Sequence, residues 1–119
     1  MTKPRHPLTP LAILHVASEQ RISNLQVFVR GHVAVMLPDD TEGDRHQRFI
    51  LKLPNDQTIL VVHNIDMTPR VTDLSVGDEV YVCGEYEWNY RGGLVHWTHH
   101  DPDTEHIDGW IEHNGNVFE

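Results

Sequence analysis

The chain predicts a mostly β fold: a small five-stranded barrel with an N-terminal helix. Three observations carry this expectation. Helix signals occur at one place only, near the N-terminus. From Leu25 onward the apolar residues repeat with the period of a strand. Clusters of Gly, Pro, Asn and Asp then cut the rest into short segments, as in an all-β domain.

Residues 1–8 form an arm in which Pro4 and Pro7 deny regular structure. Thr9-Pro10 is a helix start, with Thr at the N-cap and Pro in the first turn. Leu11, Leu14, Ala17 or Ser18, and Ile22 fall on one face of a helix expected from about Pro10 to Arg21. Arm and helix make up residues 1–24; residues 25–119 form the barrel with a polar tail.

In the first strand Val27, Val29, Gly31, Val33, Val35 and Leu37 share one face. Gly31 inside it suits the bend or bulge that a small barrel needs. Pro38 to Asp44 is a turn-rich loop. The second strand follows with Phe49, Leu51 and Leu53 inward, then a hairpin turn at Pro54-Asn55-Asp56-Gln57. Thr58 to Asn64 is a third strand, apolar enough to be covered on both faces. Ile65 to Leu74 is a longer link with room for a helical turn. Val76 to Glu79 turns into the fourth strand, Val80 to Tyr86, and Trp88 to Gly93 is a second hairpin. The fifth strand runs from Leu94 to about Thr98, and the tail has a short strand at Trp110-Ile111-Glu112 before an Asn114-Gly115 turn. Five strands, a long bent first one and a long third-to-fourth link match an OB-type barrel.

At 119 residues the chain is one domain. A 39 % apolar share is that of a globular protein, and no apolar run is long enough for a membrane span or a secretory signal. The chain as given reads as cytoplasmic, or as a mature form whose leader was removed. A net charge of −9 argues against a broad grip on a phosphate backbone, though not against nucleic acid held through a metal ion or a local basic strip. Protonating the 10 histidines moves the formal charge from −9 to +1, so mild acid is expected to alter solubility. The single cysteine, Cys83, lies in an apolar strand pattern and reads as a buried structural thiol.

The chemistry-bearing residues fall in four groups. Arg45-His46-Gln47-Arg48 opens the second strand, with His46 and Arg48 opposite Phe49. His63-Asn64-Ile65-Asp66 ends the third, where His63 shares the face of Val61 and reads equally as a core histidine. His96-Trp97-Thr98-His99-His100-Asp101 ends the fifth. In a continuing strand His96 faces away from Trp97 and His99, so this run makes a site only if it bends. His106 to Gly115 is the fourth group; His106 could approach the third, while His113 reads as an exposed turn residue. Imidazole and carboxylate together suit zinc or another first-row divalent ion, and also acid–base work near neutral pH. HExxH, GxSxG, P-loop and EF-hand patterns are absent from the sequence.

Leu37-Pro38-Asp39-Asp40, Gly43 to Phe49, His63-Asn64 and Gly92 to His99 resemble a bacterial family of uncharacterised proteins, the domain-of-unknown-function 3465 family. Its hallmark is a His-Trp-Thr-His motif, similar to His96-Trp97-Thr98-His99. The resemblance implies that His46, His63, His96 and His99 are the positions of interest. It also implies that many relatives carry an export leader, whereas this chain begins with a helix.

Three readings follow. The first is a divalent-metal-assisted hydrolase of phosphodiester or nucleic-acid type. His46, His63, His96, His99 and Asp101 would be catalytic, and His63, His96, His99 and His100 would be candidate metal ligands. Arg45, Arg48, Asn64, Trp88 and Trp97 would hold a small anionic or nucleic-acid-like ligand, with Asp101 or Asp66 orienting an imidazole. The second is a non-catalytic OB-type module for an oligonucleotide, a saccharide or a partner protein, using Trp88, Tyr90 and Trp97 as stacking surfaces. The third makes the histidines a hydrogen-bond network that closes the barrel. No membrane contact is expected, and the oligomeric state is open.

Overall fold

A computed structural model describes residues 9–119; the arm expected over residues 1–8 lies outside them. Helix α1 spans Pro10–Gln20. The Thr9 hydroxyl accepts from the Ala12 amide at 3.1 Å, satisfying one of the first-turn donors. Arg21 ends the helix in the left-handed region at φ 57°. Leu14 and Ala17 are its buried residues, whereas Ile22 falls beyond the cap and is exposed. Among the described residues no helix is long and apolar enough to cross a membrane.

Seven strands follow: β1 Leu25–Asp40, β2 His46–Lys52, β3 Thr58–Asn64, β4 Glu79–Glu87, β5 Leu94–His96, β6 Trp110–His113 and β7 Asn116–Phe118. The first five close into a ring in the order β1-β2-β3-β5-β4, with β4 pairing back onto β1. Only β3 and β5 run parallel. The β6–β7 hairpin is attached outside the ring, along β4.

The length of β1 makes the ring possible. Its first half, Leu25 to His32, pairs with β4, and its second half, His32 to Asp40, pairs with β2. Gly31 sits at the change of partner, where a Cβ would lie 2.5 Å from the Lys52 carbonyl oxygen. Register shifts follow between Leu37 and Asp40 and, as a bulge of one residue, between Val33 and Val35. That extra residue turns Val35 out, so it is exposed rather than inward as alternation predicts.

The hydrophobic core gathers Val27, Val29, Val33, Phe49, Leu51, Ile59, Val61, Val80, Val82, Tyr86 and Val95 from the five ring strands and Ile111 from β6. Each large side chain removed from water here contributes about 1.5–3 kcal/mol before entropy is counted. Trp88 pins the helix to this body: its Nε1 donates to the Ser18 carbonyl at 3.1 Å, and its amide donates to the Ser23 hydroxyl.

Two expectations for the connections are corrected. Ile65 to Leu74 is a run of turns and bends without a helical turn. Strand β5 ends at His96, not near Thr98, because Trp97 adopts a left-handed backbone at φ 53°. The tail adds β7, which the polar sequence did not announce.

Candidate functional site

The bend at Trp97 organises the site. Strands β5 and β6 share one edge of β4: β5 pairs with Glu85 to Glu87, and β6 pairs with Tyr81 to Cys83. Gly84 lies in the gap between them, and residues 97–109 leave and return there. A Cβ on Gly84 would lie 2.4 Å from the His96 carbonyl oxygen, and one on Gly109 2.1 Å from that of Trp97. The loop is therefore clamped between two positions where any side chain would collide with backbone. The Gly109 amide donates to the His99 carbonyl at 3.0 Å, closing the clamp. A left-handed tryptophan costs about 1–2 kcal/mol, so the surrounding contacts hold it there.

The bend breaks strand alternation. Thr98 turns into the core, while His96, Trp97 and His99 line one cleft of about 300 Å³ with Asp44, His46, Val62, Asn64 and Met67. His46, His96 and His99 thus meet on one surface, drawn from β2, β5 and the loop. Nδ1 of His46 and Nε1 of Trp97 are buried without a hydrogen-bond partner. Nδ1 of His99 donates to the His100 carbonyl at 2.8 Å, because a carbonyl can only accept; its Nε2 keeps the lone pair. The Trp97 ring stacks on His99 (centroids 5.2 Å apart) and on His106 (4.1 Å).

Next to the cleft, β4 presents Glu85 and Glu87 on its outer face, two residues apart. Glu85 lies directly opposite His96. His96 Nε2 is 3.2 Å from Glu85 Oε2 and 3.6 Å from Glu87 Oε1. His106 Nε2 reaches the other Glu85 oxygen at 3.2 Å. Burial pushes the Glu85 carboxyl up, but the hydrogen bonds from His106 and His96 outweigh it and leave its pKa lowered. Among the described residues, Glu85, Glu87 and His96 are the one group of three His, Cys, Asp or Glu ligand atoms within 4.8 Å of one another. Sequence reasoning passed over both glutamates, since alternating acids on an outer strand face read as ordinary solvated residues. Their pairing with a histidine strand is a tertiary fact.

Of the other sequence candidates, Asn64 shares the His46 cleft and the rest lie elsewhere. His63 is fully buried: Nδ1 is 2.7 Å from the Thr98 hydroxyl and Nε2 is 3.0 Å from the Pro69 carbonyl. Burial holds its pKa down at about 4, against the raising effect of the Pro69 carbonyl. His100 is exposed and bonded to Asp108 at 2.9 Å, which raises its pKa. Asp101 accepts from the amides of Asp103, Glu105 and His106 at 2.8–2.9 Å, and these bonds lower its pKa. It orders the loop rather than an imidazole. Asp66 grips Arg45 through the amide at 2.7 Å and Nε at 2.8 Å. Arg48 donates to the Pro38 carbonyl and lines a separate cleft. Asn64 lines the His46 cleft while bonding Asp44 at 2.9 Å. Trp88 is held under the helix with Arg21 over its ring, and Tyr90 stands in solvent beside Arg91. His113 is buried, not exposed, because Asp78 accepts from its Nε2 at 2.8 Å.

The sequence matches the model of a family described as "Protein of unknown function (DUF3465)" over residues 8–119. No curated protein matches the chain.

Proposed function

The chain belongs to the DUF3465 family, and from that premise we propose that it is an OB-like barrel carrying a divalent cation at the rim of a histidine-lined cleft, where it hydrolyses a phosphodiester-type bond. The observation that carries this reading is the double membership of His96. It lines the cleft with His46 and His99, and its Nε2 also lies within reach of Glu85 and Glu87. The OB-like assignment is supported by the strand order of the ring, with its one parallel pair between the third and fifth strands.

One imidazole and two carboxylates suit a first-row ion, and a bound ion would polarise a substrate oxygen and supply a nucleophile at neutral pH. His99, with its Nε2 lone pair, is the candidate general base, and His46 the second proton-handling group. Asn64 is placed to hydrogen-bond a substrate. Arg45 and Arg48 are engaged elsewhere, so the cation itself would hold the anionic group.

The test uses protein made without a histidine tag. Bound zinc, manganese or nickel, a raised melting temperature and hydrolysis of bis(4-nitrophenyl) phosphate are expected. Glu87→Gln and His96→Ala should abolish all three. Absence of bound metal with unchanged melting in every ion overturns the reading.

A second reading, a non-catalytic module for an oligonucleotide, saccharide or partner protein, is favoured by one observation. Phe28, Tyr81 and Trp110 form an aromatic row on the outer face of β1, β4 and β6, with centroids 6.1–6.2 Å apart. Binding of such a ligand that is lost in Phe28→Ala and kept in His96→Ala would select it.

A further inference from the structure

We propose that a second cleft, next to the histidine cleft on the outer face of β2 and β3, is a phosphate-binding subsite. There Arg48 and Arg91 hold the next phosphate of a single-stranded oligonucleotide substrate. The inference rests on the reading above that the histidine cleft works on a phosphodiester.

This cleft has a volume of about 220 Å³ and lies between the β2–β3 pair and the 88–93 hairpin. Every polar side chain that lines it can donate a hydrogen bond. None is acidic, in a chain with 18 Asp and Glu against 9 Lys and Arg. Arg48 donates from Nε to the Pro38 carbonyl at 3.1 Å, which leaves the fork of its two Nη groups. Among the described residues neither Arg48 nor Arg91 pairs with a carboxylate, whereas Arg45 and Arg70 both do. Asn89 Oδ1 accepts from the amides of Arg91 and Gly93 at 2.9 Å each, so its Nδ2 is left to donate. Ile50 and Leu60 supply an apolar floor. Two guanidiniums without acidic partners complement an anion, and their forked donors match phosphate oxygens.

The hairpin presents Arg91 from a fixed backbone. The Gly93 carbonyl accepts from the Leu60 amide at 3.1 Å, and a Cβ on Gly92 would lie 2.9 Å from the Thr58 carbonyl oxygen. The two clefts are consecutive steps of one strand pair. His46 pairs with Asn64 in the histidine cleft, Arg48 with Val62 at the boundary, and Ile50 with Leu60 in the second cleft. Two residues of strand span about 7 Å, so a ligand whose charges repeat at short intervals reaches both clefts. Tyr90, in the same hairpin, is 80 % exposed with the Arg91 guanidinium 5.5 Å from its ring centroid. It offers a stacking surface for the base beside that phosphate.

The experiment is fluorescence anisotropy of labelled hexathymidylate with the tag-free full chain in EDTA, so that no cation contributes. Binding is expected, tighter than that of the uncharged methylphosphonate analogue. Arg91→Gln, at an exposed side chain, should weaken it about tenfold. The slope of log affinity against log salt should become shallower by about 0.7 in this variant. Tyr90→Ala should weaken binding about fivefold. Arg30→Gln, on the outer face of β1 beside Tyr81, should leave it unchanged. Arg91→Gln binding like the wild type, or equal binding of the methylphosphonate, overturns the subsite; metal-dependent hydrolysis of bis(4-nitrophenyl) phosphate would then leave the reading above standing. Loss in Phe28→Ala with Arg91→Gln unaffected moves the oligonucleotide to the aromatic row and also overturns the subsite. Arg91-dependent binding by a protein that takes up no metal supports the subsite and overturns the hydrolase reading.

Discussion

The Thr98 hydroxyl donates to Nδ1 of His63 at 2.7 Å, and both residues are fully buried. The direction follows from the other ring nitrogen, which faces the Pro69 carbonyl and must donate. One neutral imidazole therefore joins β3, the 65–74 link and the loop after β5. Removing its partner is the direct test. Thr98→Val keeps the shape and deletes the donor, leaving a buried acceptor unmet. A loss of about 1–3 kcal/mol is expected in denaturant unfolding.

The same histidine gives the protein an acid sensitivity. Its folded pKa of about 4 lies below the unfolded value near ~6.5, so the unfolded chain binds the extra proton first. The stabilisation is full above the unfolded value and is lost as pH falls from about 6.5 toward 4, by about 3 kcal/mol in all. Unfolding free energies measured from pH 7 to pH 4 should show this slope. His63→Gln should be less stable at pH 7 and should lack that part of the slope; an unchanged slope contradicts the assignment.

Gly109→Ala should unmake the cleft. The added methyl would meet the carbonyl oxygens of Trp97 and Cys83 at 2.1 and 2.6 Å, and backbone cannot swing aside. A cost of about 1–3 kcal/mol is expected, together with weaker zinc binding, because His96 adjoins the displaced segment. Gly43→Ala is the comparison: its Cβ would enter open space, and only the positive φ of 69° resists it. Thermal melting and zinc titration of the two variants should separate sharply.

His113 holds the terminal hairpin. Asp78 accepts from its Nε2, and that bond, with one from the Ser75 amide, lowers the Asp78 pKa. A depressed carboxyl stabilises at neutral pH and loses this effect as pH falls through its folded value. His113→Ala should cost about 2 kcal/mol and speed hydrogen exchange in β6 and β7 ahead of the ring strands. Uniform loss of protection would place His113 in the global core instead.

Much of the frame was legible in the sequence. Alternation placed Val27, Val29, Phe49 and Leu51 inward, and the third strand has the bounds its apolar run suggested, although only the face of Ile59, Val61 and His63 is fully buried and the other is half-exposed. Thr9-Pro10 marked the helix start because capping is local. The alternation failed at Val35, where a bulge adds one residue, and at Trp97, where the backbone turns left-handed. Neither event leaves a local signal, since each is held by distant backbone at Lys52, Gly84 and Gly109. His113 was misread because its partner, Asp78, is 35 residues away.

By itself the sequence determined the periods, the caps and the supply of histidines, because these depend on neighbours a few residues apart. It also showed that the run from His96 to Asp101 makes a site only if it bends. Tertiary structure alone decided that it does bend. Ring closure brings β5 and β6 to one edge of β4, and the loop between them has to fold over Gly84 and under Gly109. That crossing sends Thr98 into the core against His63, opens His99 onto the His46 cleft and sets His96 against Glu85 and Glu87. Contacts between residues far apart in sequence depend on how the strands close, and no local pattern encodes that closure.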